Sequence, residues 1–570
     1  MKEEILMSTE KYMTDFDRWL GFDGLAPDIK AELISIKDDK NAIAERFAAE
    51  LEFGTGGMRG ILGAGIGRMN IYTVMRVSLG FAEYIKSLGA DAAQKGVVIS
   101  HDNRRYSREF ALATAGVFAA AGVRAYIFDS LRPTPMLSFS VRKLRAAGGV
   151  MITASHNPPE YNGYKIYDSE GCQLSLEESE KVIRLVSEVK DELAVPCLSL
   201  EEAGDRIVML DPAIDDEYAM RVENISISRD RESAAKLKVV YSPQHGTGNV
   251  PVRRVLADCG YEVIPVLSQC DPDPDFSGTE SPNPESPKAY TEALKIAKET
   301  GADIVITTDP DCDRLGVAAL NNAGEMVLMT GNQSAAVLLE YILSRRTTEN
   351  SLPADSYMLT TIVTSDLGDR ICERYGVKVE KTLTGFKFIG EKIAKHRATG
   401  DYGFVFGYEE SYGCLVSDFV RDKDGVQASL MLCEAAAYYK NYGLTLIDIL
   451  AAIHEKYGYF LDSQSNFYFP GLDGKAKIAA LTAGLRADSP AEVGGVKVVK
   501  VEDYLSNETK TAGFPASDVL RFIFEDGCWV AVRPSGTEPK CKFYYCVCAP
   551  DKESAESKYK ALKTAFEPQI

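Results

Sequence analysis

The ten residues Thr153 to Asn162, TASHNPPEYN, decide how this chain is read. They follow an apolar run, GGVMI (148–152), that predicts a short buried strand. Asn157, Pro158 and Pro159 then force the backbone out of any regular element. The hydroxyl of Ser155 is therefore expected at a strand end, in a stiff turn, next to His156. Such a place suits a nucleophile or a phosphorylated side chain. A Ser–His neighbour pair on its own is most often an ordinary turn, so its meaning depends on what else the chain carries.

A second apolar run, IVIT (304–307), is followed by Asp309, Asp311 and Asp313 within ITTDPDCDRLG. In an extended segment alternate side chains point the same way, which predicts three carboxylates on one side. They repel one another unless a cation sits between them. Oxygen-only ligands suit a hard ion such as Mg²⁺. An EF-hand needs Gly at its sixth position and an acid at its twelfth, where this chain has Arg314 and Leu320, so that reading fails. A solvated acidic turn is the plainer alternative.

Two loops farther along carry ligand-binding chemistry. GYEESYG (407–413) sets Glu409, Glu410 and Ser411 among Gly and Tyr, and carboxylates with hydroxyls bind sugar hydroxyls well. RPSGTEPK (533–540) joins two strand-like runs, the first with a hairpin turn at Asp526–Gly527. Its Arg533, Ser535 and Thr537 offer a guanidinium and two hydroxyls, and Gly536 lets backbone N–H groups approach an oxyanion. Each of these, alone, reads equally as a polar turn.

Together the four stretches resemble, in order and across nearly the whole chain, the motifs of the α-D-phosphohexomutases, the phosphoglucomutase/phosphomannomutase family. TASHNPPEYNGYKIY is similar to that family's active-site serine loop, and ITTDPDCDRLG to its metal loop. The resemblance implies that Ser155 carries a transferable phosphoryl group and that Asp309, Asp311 and Asp313, with the Ser155 phosphate, hold one Mg²⁺ per chain. Glu409 and Ser411 match the Glu-x-Ser that grips two adjacent sugar hydroxyls. Arg533, Ser535, Gly536 and Thr537 match the site of the non-reacting phosphate. Lys423 in RDKDG (421–425) matches a basic residue facing the active site. GTGGMRG (54–60) resembles the segment whose Arg, here Arg59, faces the reacting phosphoryl group, and TGFK (384–387) gives Thr384 and Gly385 as sugar and phosphate contacts.

The implied reaction is the interconversion of glucose 1-phosphate and glucose 6-phosphate through a phosphoserine enzyme, with glucose 1,6-bisphosphate as intermediate and activator. The two oxygens lie at opposite ends of the ring, so a donor must transfer first and take back second. Arg59 and Lys165 would stabilise the transferring group. His156, Arg314 or Lys423 would assist proton transfer, and His156 ranks above Arg314 because an arginine stays protonated. A phosphopentomutase acting on ribose or deoxyribose 1-phosphate and a phosphomannomutase are the neighbouring alternatives. A haloacid-dehalogenase-like sugar phosphatase with Asp309 as nucleophile expects Thr or Val at position 313 and gives Ser155 no role. A non-catalytic sugar-phosphate sensor does not need an intact Ser155 and three aspartates.

A chain of 570 residues is too long for one core. Strand–loop–helix plans at 97–108, 237–249 and 357–369 recur at similar spacing and suggest three related α/β units. The last segment differs, with hairpin-like strands and then a helix from about Asp551 to Phe566. The expected architecture is α/β: three similar α/β domains, 1–205, 206–325 and 326–455, with a C-terminal α+β domain, 456–570, around a central cleft. Sixty-four basic against 83 acidic residues, net −19, argue against a nucleic-acid partner and require local cations to draw in an anionic sugar phosphate. No apolar stretch is long enough to span a membrane and the N-terminus lacks a signal-peptide core. The twelve scattered Cys read as free thiols in a reducing cytoplasm.

Overall fold

Strand Gly148–Ile152 is buried at every residue, as its uniformly apolar run requires. It pairs in parallel with Val97–His101 on one side and antiparallel with Tyr161–Tyr167 on the other. Residues 153–160, TASHNPPE, are thus the connection between two antiparallel neighbours. The computed structural model describes residues 2–54, 56–469, 473–535 and 540–568. The chain divides into two compact units. The first comprises 1–318 with 390–399 and 414–434, and the second 319–389, 400–413 and 435–570.

In the first unit the sheet order is Phe53–Gly54, Gly57–Ile61, Tyr161–Tyr167, Gly148–Ile152, Val97–His101, Ala125–Ile127, Ile207–Met209. Val97, Ile99, Val150, Ile152, Tyr164 and Ile166 meet Phe81 and Phe118 of the covering helices Ile71–Ser87 and Ser107–Ala120 in one core. Gly57, at φ +136°, lies where a Cβ would come within 1.9 Å of the Tyr164 carbonyl oxygen. A glycine there lets the strand bearing Arg59 close onto the strand bearing Lys165. A second layer pairs Lys238–Ser242 in parallel with Ile304–Thr308 and with Glu262–Pro265. Three N-terminal helices, Lys2–Leu20, Pro27–Ile36 and Lys40–Phe47, build a satellite core around Trp19, Leu33, Ile43 and Phe47.

The second unit holds a parallel set in which Tyr357–Thr361 lies between Lys378–Thr382 and Phe404–Tyr408. It also holds an antiparallel sheet ordered Tyr459–Tyr468, Lys540–Ala549, Trp529–Pro534, Leu520–Phe524, Val496–Asp503, Glu492–Val493. Helix Lys552–Phe566, capped by Asp551 on the Ser554 N–H, sets Leu562 and Phe566 against Phe522, Val530 and Phe543. The expected turn at Asp526–Gly527 is present, with Gly527 at φ +82°. Asp366 ties the two sheets of this unit together. It accepts from Trp529 Nε1 at 2.9 Å, pairs with Arg521 at 3.3 Å and binds Lys381.

The three strands expected to repeat, Val97–His101, Lys238–Ser242 and Tyr357–Thr361, each have parallel neighbours. Each runs through a loop into a helix, Ser107–Ala120, Asn249–Asp258 and Leu367–Tyr375 respectively.

Candidate active site

Ser155 sits three residues past its strand, buried, with φ +51°. A non-glycine residue in that region is held by its surroundings rather than by preference. Its N–H donates to Thr153 Oγ1 at 2.8 Å, and the turn closes by an Asn157 N–H bond to the Ala154 carbonyl. The hydroxyl donates to Asp309 Oδ2 at 2.6 Å and lies 3.2 Å from His156 Nδ1.

The aspartates come together, but not by the extended geometry read from the sequence. Strand Ile304–Thr308 ends before Asp309, and residues 309–314 form a tight turn with Cys312 at φ +54°. The Cys312 N–H bonds the Asp309 carbonyl, and the Pro310 carbonyl accepts from Thr247 N–H and Oγ1. Proline cannot continue a ladder, so the chain folds back and gathers the three side chains. Their ligand oxygens all lie within 4.8 Å of one another, and all three residues are buried.

Cations and polar donors surround the cluster. Lys165 Nζ is 2.8 Å from Asp311 Oδ2 and 3.5 Å from Asp313 Oδ2. Lys423 Nζ is 3.2 Å from Asp313 Oδ2 and 3.0 Å from Asp422 Oδ1. Asp422 is itself fixed by Tyr167 and Gln173. Thr134, at the start of helix Thr134–Leu144, donates its hydroxyl to Asp311 Oδ2 at 2.8 Å. Arg314 is pulled aside to Glu285 at 2.7 Å, and Arg59 donates to Asn157 Oδ1 at 2.9 Å.

Burial and the two neighbouring carboxylates raise the Asp309 carboxyl well above its ordinary range. Burial also pushes Asp311 upward, but Lys165 and Thr134 outweigh it and hold that carboxyl low. For Asp313, burial and Asp311 are outweighed by Lys423 and Lys165. Burial, then the Arg314 and Arg59 charges, drives His156 well below 6.5, so its ring is neutral at neutral pH. Two oxygens, Asp311 Oδ1 and Asp313 Oδ1, are buried and accept no hydrogen bond among the described residues. Unmatched anionic oxygens of this kind are expensive without a cation. The donor set, all hard oxygen, fits a magnesium-like ion.

In the second unit Glu409, buried, accepts the Gly385 N–H at 2.8 Å, with Gly385 at φ +123°. The loop is closed by a Glu409 N–H bond to the Gly413 carbonyl. Ser411 lies between them, half-buried, and Thr384 Oγ1 is buried without a hydrogen-bond partner among the described residues. Tyr408, extra relative to the shorter form of this loop, is structural. It ends strand Phe404–Tyr408, is buried and donates to the Ser365 carbonyl. Arg533, the penultimate residue of strand Trp529–Pro534, pairs with Lys542, and Ser535 N–H bonds the Lys540 carbonyl. Gly536 and Thr537 lie outside the described residues.

Sequence reading missed Arg104 and Thr134. Thr134 carries no local signal, and Arg104 stands in a polar loop, HDNRRYS, with partners more than fifty residues away.

A serine hydroxyl bonded to a clustered, cation-ringed carboxylate, on repeated α/β layers, defines an enzyme of the phosphotransferase and mutase class. Family models for phosphoglucomutase/phosphomannomutase α/β/α domains I, II and III match residues 50–192, 216–322 and 330–457, and that for the C-terminal domain matches 476–558. The chain belongs to the phosphoglucomutase/phosphomannomutase family. It is 37% identical over 537 residues to a phosphoglucomutase of Staphylococcus aureus strain bovine RF122 / ET3-1, covering 92% of this chain and 95% of that one. A phosphoglucomutase of strain MRSA252 is 38% identical over 528 residues, covering 91% and 93%. Among solved structures, the open form of pp63/parafusin, a phosphoglucomutase from Paramecium, shares the fold at TM-score 0.68 and 18% identity, covering 92% of this chain and 97% of that one. A phosphoglucomutase/phosphomannomutase family protein from Burkholderia thailandensis does so at 0.67 and 20%, covering 91% and 98%. The activity is of the phosphoglucomutase type, and no helix among the described residues is long and apolar enough to cross a membrane.

Proposed function

We propose that this enzyme interconverts glucose 1-phosphate and glucose 6-phosphate through phosphorylated Ser155, with glucose 1,6-bisphosphate as the intermediate and activator. The observation that carries the reading is the 2.6 Å bond from Ser155 Oγ to a buried triple-carboxylate cluster. The S. aureus relatives named phosphoglucomutase support glucose as substrate.

Phosphorylation of Ser155 removes the hydroxyl proton that Asp309 Oδ2 accepts. Asp309, Asp311 and Asp313 would then hold the metal ion, while Asp311 Oδ2 stays with Lys165 and Thr134. A bound Mg²⁺ at these carboxylates supplies charge neutralisation for the transferring phosphoryl group. Lys165 and Arg59 stabilise its equatorial oxygens. Neutral His156 takes the proton of the attacking sugar hydroxyl as that oxygen bonds phosphorus; the bond from phosphorus to Ser155 Oγ breaks, and Oγ takes up a proton to become a hydroxyl again. Arg314, held by Glu285, contributes charge rather than base. Lys423, locked between Asp313 and Asp422, keeps the carboxylates ionised.

Glu409 and Ser411 bind sugar hydroxyls, Thr384 and Gly385 flank them, and Arg533 with Ser535, Gly536 and Thr537 takes the phosphate that does not react. The bisphosphate then turns end for end, and its other phosphoryl group returns to Ser155 Oγ. We also propose domain divisions near 205, 325 and 455. Parallel assays with glucose 1-phosphate, mannose 1-phosphate and ribose 1-phosphate test the substrate. The highest kcat/KM is expected for glucose 1-phosphate. A higher value for ribose 1-phosphate or mannose 1-phosphate overturns that assignment in favour of a pentomutase or a phosphomannomutase.

A further inference from the structure

The serine turn has a backbone problem. Pro158 and Pro159 have no N–H, and residues 153–160 lie outside any strand or helix, so the carbonyls of the turn have few backbone donors, the Tyr161 N–H on Pro158 among them. One side chain bonds four carbonyls across the turn. Arg104 Nη2 donates to the carbonyls of Ser155 and Asn157, both at 2.5 Å. Its Nη1 donates to those of Pro158 at 2.9 Å and Tyr161 at 3.0 Å. The guanidinium is buried, which concentrates these bonds in a low-dielectric setting.

The arginine is itself held on three sides. Asp102 Oδ2 lies 3.4 Å from its Nε, with both side chains fully buried. Asp102 Oδ1 accepts the Arg104 N–H at 3.0 Å and the Ser107 hydroxyl at 2.8 Å. The Phe276 ring stacks on the guanidinium, 5.1 Å from carbon to centroid. Asp102 balances its charge, so Arg104 contributes geometry more than field. It reaches no reacting atom.

We propose that Arg104 is the positioning residue for phosphoryl transfer: it holds Ser155 in its left-handed conformation so that Oγ is aimed at Asp309. This rests on Ser155 being the phosphoryl carrier. A planar fork with two donors on each terminal nitrogen spans four carbonyls at once. A lysine ammonium has three donors on one atom and cannot. Loosening the turn misplaces Oγ without touching the groups assigned to the sugar and the distal phosphate.

The test uses Arg104→Lys in the full-length enzyme, with Ser155→Ala alongside. The expected result is a kcat, and a single-turnover rate of transfer from phosphorylated Ser155 to sugar phosphate, lower by about 100-fold, the usual cost of misplacing a reacting group by an ångström. KM for sugar phosphate and the thermal midpoint should stay close to those of the parent. A kcat within about threefold of the parent, or a loss matched by the loss of folded protein, overturns the proposal. Ser155→Ala separates it from the reading beneath: an active Ser155→Ala fails the phosphoserine mechanism, whereas an inactive one with a normal Arg104→Lys fails only the clamp. Should the lysine variant not fold, hydrogen exchange of the parent decides. Amides of 153–162 are expected to exchange as slowly as those of strand 148–152, and exchange within seconds overturns the clamp.

Discussion

Replacing Ser155 by alanine removes the hydroxyl that donates to Asp309, so turnover should fall by several orders of magnitude. Intact-mass measurement of the parent should show a species heavier by one phosphoryl group, absent from the variant. Near-normal turnover of Ser155→Ala would exclude the serine as carrier. A chelator should abolish activity and Mg²⁺ restore it. Asp311→Asn keeps an acceptor but loses the charge, and should weaken Mg²⁺ binding by about 10- to 100-fold in a calorimetric titration. Arg533→Ala loses a charge-assisted contact of about 2–3 kcal/mol. It should raise KM by about 30- to 150-fold and leave Mg²⁺ affinity unchanged. Unaltered KM values for sugar phosphate and bisphosphate would remove Arg533 from the distal phosphate site.

Asp424 precedes helix Gly425–Lys440 and caps it. Its Oδ1 accepts the N–H groups of Val426 and Gln427, and Tyr218 donates to both carboxylate oxygens at 2.9 Å. Burial nevertheless pushes the carboxyl up from 3.8 to about 6. The folded state therefore holds the proton more tightly than the unfolded chain. This group's stabilising share is full below pH 4 and is lost as pH rises to 6, at most about 3 kcal/mol. Asp424→Asn keeps the Oδ1 cap and has no proton to lose. Its unfolding free energy relative to the parent should rise by about that amount between pH 4 and 6.5, measured by urea denaturation; a flat difference would refute the assignment. Elements of this kind differ in how well sequence announces them. Strands Gly148–Ile152 and Ile304–Thr308, the Asp526–Gly527 turn and the last helix from about Asp551 were plain, because apolar runs and turn residues act locally. The aspartate turn was misread as extended because the left-handed Cys312 depends on the Thr247 loop and other distant partners. Arg104 was invisible because its partners are carbonyls, which no residue type advertises.

At the scale of the whole molecule, the division of the chain departs from sequence order: residues 390–399 and 414–434 pack with the first unit although 400–413 belongs to the second. Composition and periodicity carry no trace of such interleaving. Within the second unit, Asp366 is the joint between the parallel strands and the C-terminal sheet. Asp366→Ala would strip Arg521, stacked 4.6 Å from the Trp529 ring centroid, of its nearer carboxylate and leave it Glu502 at 3.5 Å. The expected loss is about 2 kcal/mol, the scale of a partly buried charged hydrogen bond. Proteolysis within 459–568 should quicken in that variant, and an unchanged cleavage rate would show that the sheet is anchored elsewhere.

The serine turn links two strands that are neighbours both in sequence and in the sheet. A hairpin of that sort closes in about 1–10 μs once it has left the ribosome. Its carboxylate partner, Asp309, is 154 residues downstream. At the usual pace of synthesis, about 5 to 20 residues per second, that partner arrives roughly 8 to 30 s later. The nascent chain thus carries a finished hydroxyl-bearing turn for seconds before it has anything to point at, and the capacity for catalysis begins with the emergence of the aspartate loop.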